Sequence, residues 1–363
     1  MMAEIENHVS HGALARFIEA ALVAAGSAPE PAAAVARALS SASLRGVDSH
    51  GVRLLPHYVR VLRGGRVSGN PRIGVDRRSL GTTIVDADDG FGHYASYHAV
   101  AEGVRLARAT GIGAVSVINS SHFGAAGCYV LDAADAGLVA FAFGNSDSFV
   151  LPHDGVDPFH GTNPIAFAAP VAGERPFLVD MATSIVPWNR IQDYRSKGMS
   201  VPVDVAVDAA GRMTTDPAQV AALLPLGGST YGFKGAALAS MLEVLSAVLT
   251  GMAHCSRLLP MAGEDISTPR RLGHFFIVIN PEVFVSRAVY DAGMASYLKD
   301  IRSRLAKPGT RVMAPGDREW ACADRRGVEG IPMPAGLMTE FLQIAADLGV
   351  DDADLRNGDG AGP

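Results

Sequence analysis

Cysteine is scarce in this chain of 363 residues: Cys128, Cys255 and Cys322 are the only three, and no two stand at a C-x-x-C spacing. That excludes a disulfide scaffold and a zinc ribbon. The thiols read as small buried hydrophobes of a protein kept in a reducing compartment, and the expected location is cytoplasmic. Blocks of one charge are also missing. Lys and Arg number 31 against 37 Asp and Glu, and no basic run marks a nucleic acid or an anionic membrane surface, so neither is expected as a partner. One apolar stretch approaches spanning length, GAALASMLEVLSAVLTGMA from Gly235 to Ala253. Glu243 in its middle, diluted further by Ala and Ser, makes it a buried helix of a soluble protein instead. The opening MMAEIENHVSHGALARF has acids and histidines where a secretory signal carries positive charge and then an apolar run. The chain lacks H-E-x-x-H, and His153 and His160 of PHDGVDPFH have one Asp between them, so no metal is expected. It lacks the G-x-S-x-G elbow of serine hydrolases. It also lacks G-x-G-x-x-G between a strand and a helix: GIGAVS runs into a strand, and LGGSTYGFKG puts Phe233 where a phosphate loop needs Lys.

Apolar residues are not lacking. They make up 48% of the chain against 19% charged, which supplies a large core and rules out disorder. Two alanine-rich helices are predicted at His11–Ala25 and Pro29–Leu44, parted by AGSAPEP. A short helix follows in GVRLLPHYVRVLRGGRV, where Leu54, Leu55, Tyr58, Val61 and Leu62 share a face. TTIVDA reads as a strand, DDGFG as a turn, and the next stretch as helix to Ala109. Beyond Gly111 the order is strand (GAVSVIN), helix (AAGCYVLDAADAG) and strands (LVAFAFGNS, NPIAFAAP, FLVDMATS). A long buried helix at Lys234–Thr250, the strand HFFIVIN and a helical last sixty residues complete the reading. Alternating strands and helices indicate an α/β domain whose sites gather at strand ends.

Five polar segments lie beside apolar runs: DSHG at Asp48, NSSHFG at Asn119, GNS at Gly144, HGTNP at His160 and DMATS at Asp180. Any one alone reads as a turn or cap; Asp180 with Thr183 and Ser184 is one example. Strand ends of one sheet converge, however, and five such segments there must satisfy one another or a ligand.

Taken in order, DSHG, NSSHFGAAG, HGTNPIAFAAP, FLVDMATS, TTDP and FKGAALASMLEVL resemble the malate/L-lactate dehydrogenase family, from about Leu44 to Pro332. This family comprises NAD(P)-dependent 2-oxoacid reductases without a Rossmann fold. It includes ureidoglycolate, sulfolactate, 2,3-diketogulonate and cyclic imino acid enzymes. GTNPIAFAAP with DMATS downstream is its most specific part. The resemblance implies an α/β fold with a family-specific, non-Rossmann NAD(P)-binding sheet domain wrapped by N- and C-terminal helices. Residues 76–295 would form that domain. Residues 1–75 with 296–363 would form a helical domain on the substrate side that also carries dimer contacts, and 351–363 a disordered tail.

It further implies NADH or NADPH as cofactor, a small oxo acid or imine as substrate, and a homodimer with active sites near the subunit boundary. His122 would be the acid/base, with His50 close to the reacting carbon. Ser49, Arg53 and Tyr58 would lie on the substrate side. Ser146, Thr162, Asn163, Asp180, Met181, Ala182, Thr183, Lys234, Pro315, Gly316 and Asp317 would contact cofactor. The chemistry fits these residue types. Reducing a carbonyl builds charge on oxygen and needs a proton donor, and histidine titrates near neutrality. Hydroxyls and amides of GTNP and DMATS can hold phosphate or ribose without a glycine loop, and a lysine on an apolar helix calls for an anion or a path to water.

Two departures stand out. Many 2-oxoacid members carry S-H-G-x-x-R, whose Arg suits a substrate carboxylate. Here the stretch is SHGVRLLPHY, with Leu54 at that place and Arg53 one residue, hence about 100° of helix, earlier. After DMATS, PWNRIQDYRSKGMSVP brings Trp188 and Tyr194 where small residues are usual, which suggests a reshaped pocket. The leading expectation is a 2-oxo/2-hydroxy acid oxidoreductase. The alternatives are a piperideine- or pyrroline-2-carboxylate reductase, whose protonated imine already carries its proton, and a member that binds nucleotide without turnover.

Overall fold

The computed structural model describes residues 7–357. A short strand, β1 (Asn7–Val9), leads into α1 (His11–Ala24), α2 (Pro29–Leu44) and α3 (Leu55–Arg63). The Ser10 hydroxyl caps α1 by accepting the Ala13 N–H at 3.2 Å, and Pro29 opens α2, where a missing N–H costs nothing. Leu14, Ile18 and Leu22 of α1 bury against Val35 and Leu39 of α2 and Tyr58 of α3.

The centre is a mixed sheet of seven strands: β2 (Gly74–Arg77), β3 (Thr82–Asp86), β4 (Ile112–Ser120), β5 (Val139–Gly144), β6 (Ile165–Ala169), β7 (Phe177–Met181) and, after a small hairpin of β8 (Ala206–Val207) and β9 (Ala222–Leu223), β10 (Leu272–Ile279). The spatial order is β2-β3-β4-β10-β5-β6-β7. Only β3 and β4 run parallel, linked by the crossover helix α4 (Gly92–Thr110); every other neighbouring pair is antiparallel. A sheet of this kind has no switch point between parallel halves, in keeping with the missing glycine fingerprint. Helix α4 and α5 (Gly127–Asp135) bury Ala95, Ala99, Leu106 and Tyr129 in one core with Phe276 and Val278 of the central strand β10.

The remaining helices are α6 (Trp188–Ser196), α7 (Gly228–Glu243), α8 (Arg287–Arg302), α9 (Asp317–Glu329), α10 (Ala335–Leu348) and α11 (Ala353–Asn357). A last strand, β11 (Ile331–Met333), pairs with β1. Four features differ from the sequence expectations. The predicted buried helix begins earlier, at Gly228, passes into a π-turn at Val244–Val248, and is not buried: Phe233, Met241, Val248 and Leu249 are 44–62% exposed. Its apolar residues form an outer face and not a core stripe. Second, the unforeseen α6 occupies the PWNRIQDY stretch. Third, β11 interrupts the C-terminal helices, with Pro332 tolerated in a two-strand edge pair. Fourth, the expected disordered tail does not begin at 351. Leu355 of α11 is buried in the N-terminal helical core, and Asp354 pairs with Arg16 at 2.5 Å; residues 358–363 lie outside the described residues. Helix α8 straddles the expected boundary at 295/296 and sets Leu298 with Val171 and Ala314 beside Phe177 of β7. Among the described residues no helix is long and apolar enough to cross a membrane.

Candidate active site

Strand β4 ends at Ser120, and the chain turns through Asn119, whose φ is 51°, into His122-Phe123-Gly124 before α5 begins. Gly124 has φ 69°, and a Cβ there would meet Nε2 of His93 at 2.9 Å, so glycine lets the loop turn over that ring. The loop presents His122 to a crevice of about 340 Å³, near the lower size of ligand pockets. His50, Ser146, Thr162 and Asp180 line the same crevice, with backbone and side chains of Met181 and Ala182. All five polar segments singled out in the sequence therefore meet at one place.

His122 is held from behind. Its Nδ1 lies 2.6 Å from the Tyr58 hydroxyl and 3.3 Å from the Gly124 N–H. An amide N–H only donates, so Nδ1 is an acceptor and the neutral ring carries its proton on Nε2, the nitrogen with no protein partner among the described residues. Burial, followed by His50, His57, His93 and Arg270, holds the His122 pKa well below 6.5. The His50 ring lies nearly parallel to it, centroids 5.8 Å apart; its Nδ1 bonds Ser49 Oγ at 2.9 Å. Burial and then Arg53 bring His50 down to about 4. Both imidazoles are thus neutral near pH 7.

The other side of the crevice is built from interlocked loops. The Gly127 N–H, at the start of α5, donates to Asp180 Oδ2 at 2.9 Å, where a Cβ on Gly127 would collide with the carboxylate. Burial raises Asp180 to about 6, against the pull of that N–H and of Arg45. The Thr162 N–H donates to Ser146 Oγ at 3.0 Å. Asn163 and Thr183 are fully buried and do not face the crevice. Asn163 accepts the Ser146 N–H at 3.1 Å and donates to Glu243 at 2.9 Å, and the Thr183 hydroxyl donates to the Asn163 carbonyl at 3.1 Å. These two position the loops.

Six more expected site residues lie elsewhere. Tyr58 is 1% exposed and stands behind His122. Arg53 pairs with Asp193 of α6 at 2.7 Å. Lys234 is exposed on α7, its Nζ 5.3 Å from the Tyr231 ring centroid, and does not line the crevice of its own chain. Pro315–Asp317 borders a separate groove of about 830 Å³, where Asp317 pairs with Arg302 at 2.7 Å; the next residues, Arg318 and Glu319, are the ones that reach the crevice. Sequence reasoning passed over Arg45, Asn145 and Arg190, which also line it. Arg45 lies shortly before DSHG, Asn145 is the middle residue of GNS, and Arg190 lies in the unusual stretch after DMATS.

Residues 9–342 match the family model for malate/L-lactate dehydrogenase. The chain belongs to the malate/L-lactate dehydrogenase family. It is therefore an NAD(P)-dependent oxidoreductase of the dehydrogenase and reductase type. The malate dehydrogenase of Pyrococcus abyssi is 36% identical over 92% of this chain and 93% of its own length. A Δ1-pyrroline-2-carboxylate/Δ1-piperideine-2-carboxylate reductase of Pseudomonas putida is 41% identical over 68% of this chain and 73% of its own. In structure, malate dehydrogenase from Entamoeba histolytica superposes with a TM-score of 0.90 at 29% identity, covering 95% of this chain and 99% of that one. The family sheet and its helical wrapping are thus those expected from the sequence.

The crevice suits a pyridine nucleotide chemically. The Asn145 amide oxygen is buried without a partner beside a crevice lined by the residue, an acceptor that a carboxamide N–H would satisfy. Ser146 and Thr162 supply hydroxyls, and buried Arg45 and exposed Arg318 supply positive charge.

Proposed function

We infer that the protein transfers hydride between NAD(P)H and a small 2-oxo acid, giving the 2-hydroxy acid, with His122 carrying the proton. The observation behind this reading is the placement of His122: two donors fix Nδ1, and the protonated Nε2 belongs to a ring that lines the crevice. Ser146, Thr162, Asn145 and the Asp180–Ala182 backbone would hold the nucleotide, which supplies hydride to the carbonyl carbon. His122 then steadies the developing alkoxide through Nε2–H. In the free enzyme burial, and after it the neighbouring groups, suppress the imidazolium; a bound substrate anion favours it, making a full proton available when the acid is seated. Tyr58 keeps the ring turned toward the substrate, and neutral His50 forms a wall without competing charge.

Cyclic imino acid reduction is the second reading, favoured by the Pseudomonas putida relative. The protein is taken to act as a homodimer. Support comes from the apolar side chains exposed along α7 and the π-turn after it, Phe233, Met241, Val244, Val248 and Leu249. That pairing would bring Lys234 to a subunit boundary. The free thiols Cys128, Cys255 and Cys322 suit a reducing, cytoplasmic setting. NAD(P)H consumption is followed with pyruvate, oxaloacetate and piperideine-2-carboxylate for the native protein and His122→Ala. Oxo-acid turnover lost in the variant is expected; undiminished turnover removes His122 from the mechanism.

A further inference from the structure

Leu54 leaves the family's usual carboxylate anchor without a cation, and Arg53 is committed to Asp193. We propose that Arg190, on the unexpected helix α6, is the replacement anchor for the substrate carboxylate. The proposal rests on the oxidoreductase reading above and deepens it.

Three observations carry it. Arg190 lines the crevice that holds His50 and His122. Its side chain is 56% exposed and, among the described residues, has one ionic contact, 3.9 Å from Asp193 Oδ2; that carboxylate is already engaged at 2.7 Å by Arg53 through its other oxygen. The remaining cations of the crevice are occupied. Arg45 is buried, donating to Ser41 Oγ at 2.6 Å and Cys128 Sγ at 3.1 Å, and Arg318 pairs with Glu319 at 3.2 Å. Among the described residues Arg190 makes no side-chain hydrogen bond, which leaves its fork open to a planar anion through two parallel N–H···O bonds, whereas exposed Arg318 has Nε and Nη2 turned to Glu319.

The helix that carries it is fixed against the catalytic loop. Asn189 donates to the Ser49 carbonyl at 2.8 Å, next to His50, and the Arg53–Asp193 pair clamps the following turn. Trp188 stacks on Phe149 with centroids 4.4 Å apart, and Ile191 is fully buried. Arg53 thereby becomes a positioning residue: it holds the helix from which the neighbouring arginine works. The ligand class that follows is a short acid with carboxylate and carbonyl on adjacent carbons.

The test compares native protein, Arg190→Gln and Arg190→Lys on whichever acid the native protein reduces best, and on ethyl pyruvate, which keeps the carbonyl and lacks the charge. Loss of two charge-assisted bonds should raise KM for the acid about 100-fold in Arg190→Gln, with a smaller rise in Arg190→Lys. kcat/KM on the ester should stay within about twofold. Unchanged KM for the acid, or equal losses on acid and ester, overturns the proposal; thermal melting of each variant identifies a folding loss. If the native protein reduces no oxo or imino acid, the functional reading fails by itself. Oxalate then decides the anchor: quenching of tryptophan fluorescence in the native protein and not in Arg190→Gln supports it, and equal quenching, or none in either, refutes it.

Discussion

Tyr58→Phe isolates the contact that orients His122. The tyrosine is 1% exposed and its ring packs edge-on against His93, centroids 4.8 Å apart, so phenylalanine fills the same space and opens no cavity. What disappears is one hydroxyl, 2.6 Å from Nδ1 of His122. The Gly124 N–H at 3.3 Å remains, a longer bond that cannot alone hold the ring. Leaving a half-buried ring nitrogen with a single weak partner costs about 1–3 kcal/mol of orientation, or about 10–100-fold in rate. The lost hydrogen bond is partly offset because the neutral hydroxyl no longer has to be desolvated, so global stability should change by about 1 kcal/mol or less. Stopped-flow and steady-state assays should show kcat reduced about 10–100-fold and KM nearly constant, because the substrate anchor is elsewhere. A variant with kcat within twofold of native and the same pH profile would refute a positioning role, and a large fall in melting temperature would show a structural one.

Three further outcomes follow from the same geometry. For oxo-acid reduction, the pKa governing kcat should exceed that governing kcat/KM, because His122 is held below 6.5 in the free enzyme and a bound anion raises it; coincident values would remove the substrate's influence on the ring. Asp180 titrates near 3.8 when unfolded and about 6 when folded, so its burial costs stability only as pH rises through that interval. The gap corresponds to at most about 3 kcal/mol, reduced to about 1–2 by partial exposure. Asp180→Asn, which can still accept the Gly127 N–H, should therefore be stabilised at pH 8 and not at pH 3.5 in urea melts, and an equal effect at both would contradict the assignment. Val248→Asp, on the exposed face after α7, should yield a folded monomer by sedimentation velocity, whereas an unchanged assembly would place the subunit contact elsewhere.

Apart from β1 and β2, which the sequence reading missed, the helices and strands up to β7 were legible because their periods are clean: α1 follows its cap Ser10 and α2 opens at Pro29, and β4 delivers His122 just where the apolar run AVSVI gives out. Less legible was anything decided by contacts far away in sequence. α7 has the composition of a buried helix, yet its apolar residues face outward, and composition cannot say whether the surface that covers them belongs to the same chain. Helix α6 carries a polar sequence with one fully buried residue, Ile191; its position is set by Asn189 and Asp193 reaching residues about 140 positions away. Asn163 and Thr183 illustrate the same limit within the motifs. GTNP and DMATS mark the place, but which of their side chains face a ligand and which face Glu243 or a neighbouring carbonyl depends on the packing of the loops.

The charge pattern of the crevice bears on the choice between oxo acid and imine. Burial, and then His50, His57, His93 and Arg270, hold His122 below its ordinary value; with His50 and His57 at about 4 and His93 at about 3, Arg270 is the one of these neighbours charged near pH 7, and it disfavours a positive charge there. A protonated cyclic imine brings such a charge to the reacting centre, in a crevice that already holds arginines 45, 190 and 318. A 2-oxo acid brings only a carboxylate, which Arg190 can take, and a carbonyl oxygen that becomes negative as reduction proceeds, so the surrounding charge favours the transition state over the bound acid. The imine loses charge along its path, so that field opposes its binding and is relieved, not resisted, in the hydride step. On this argument His122→Ala should depress oxo-acid reduction far more than imine reduction, and raising pH should weaken the first through His122 and the second through loss of the iminium proton. Equal responses of the two substrates to both perturbations would mean that the cationic surroundings do not select between them.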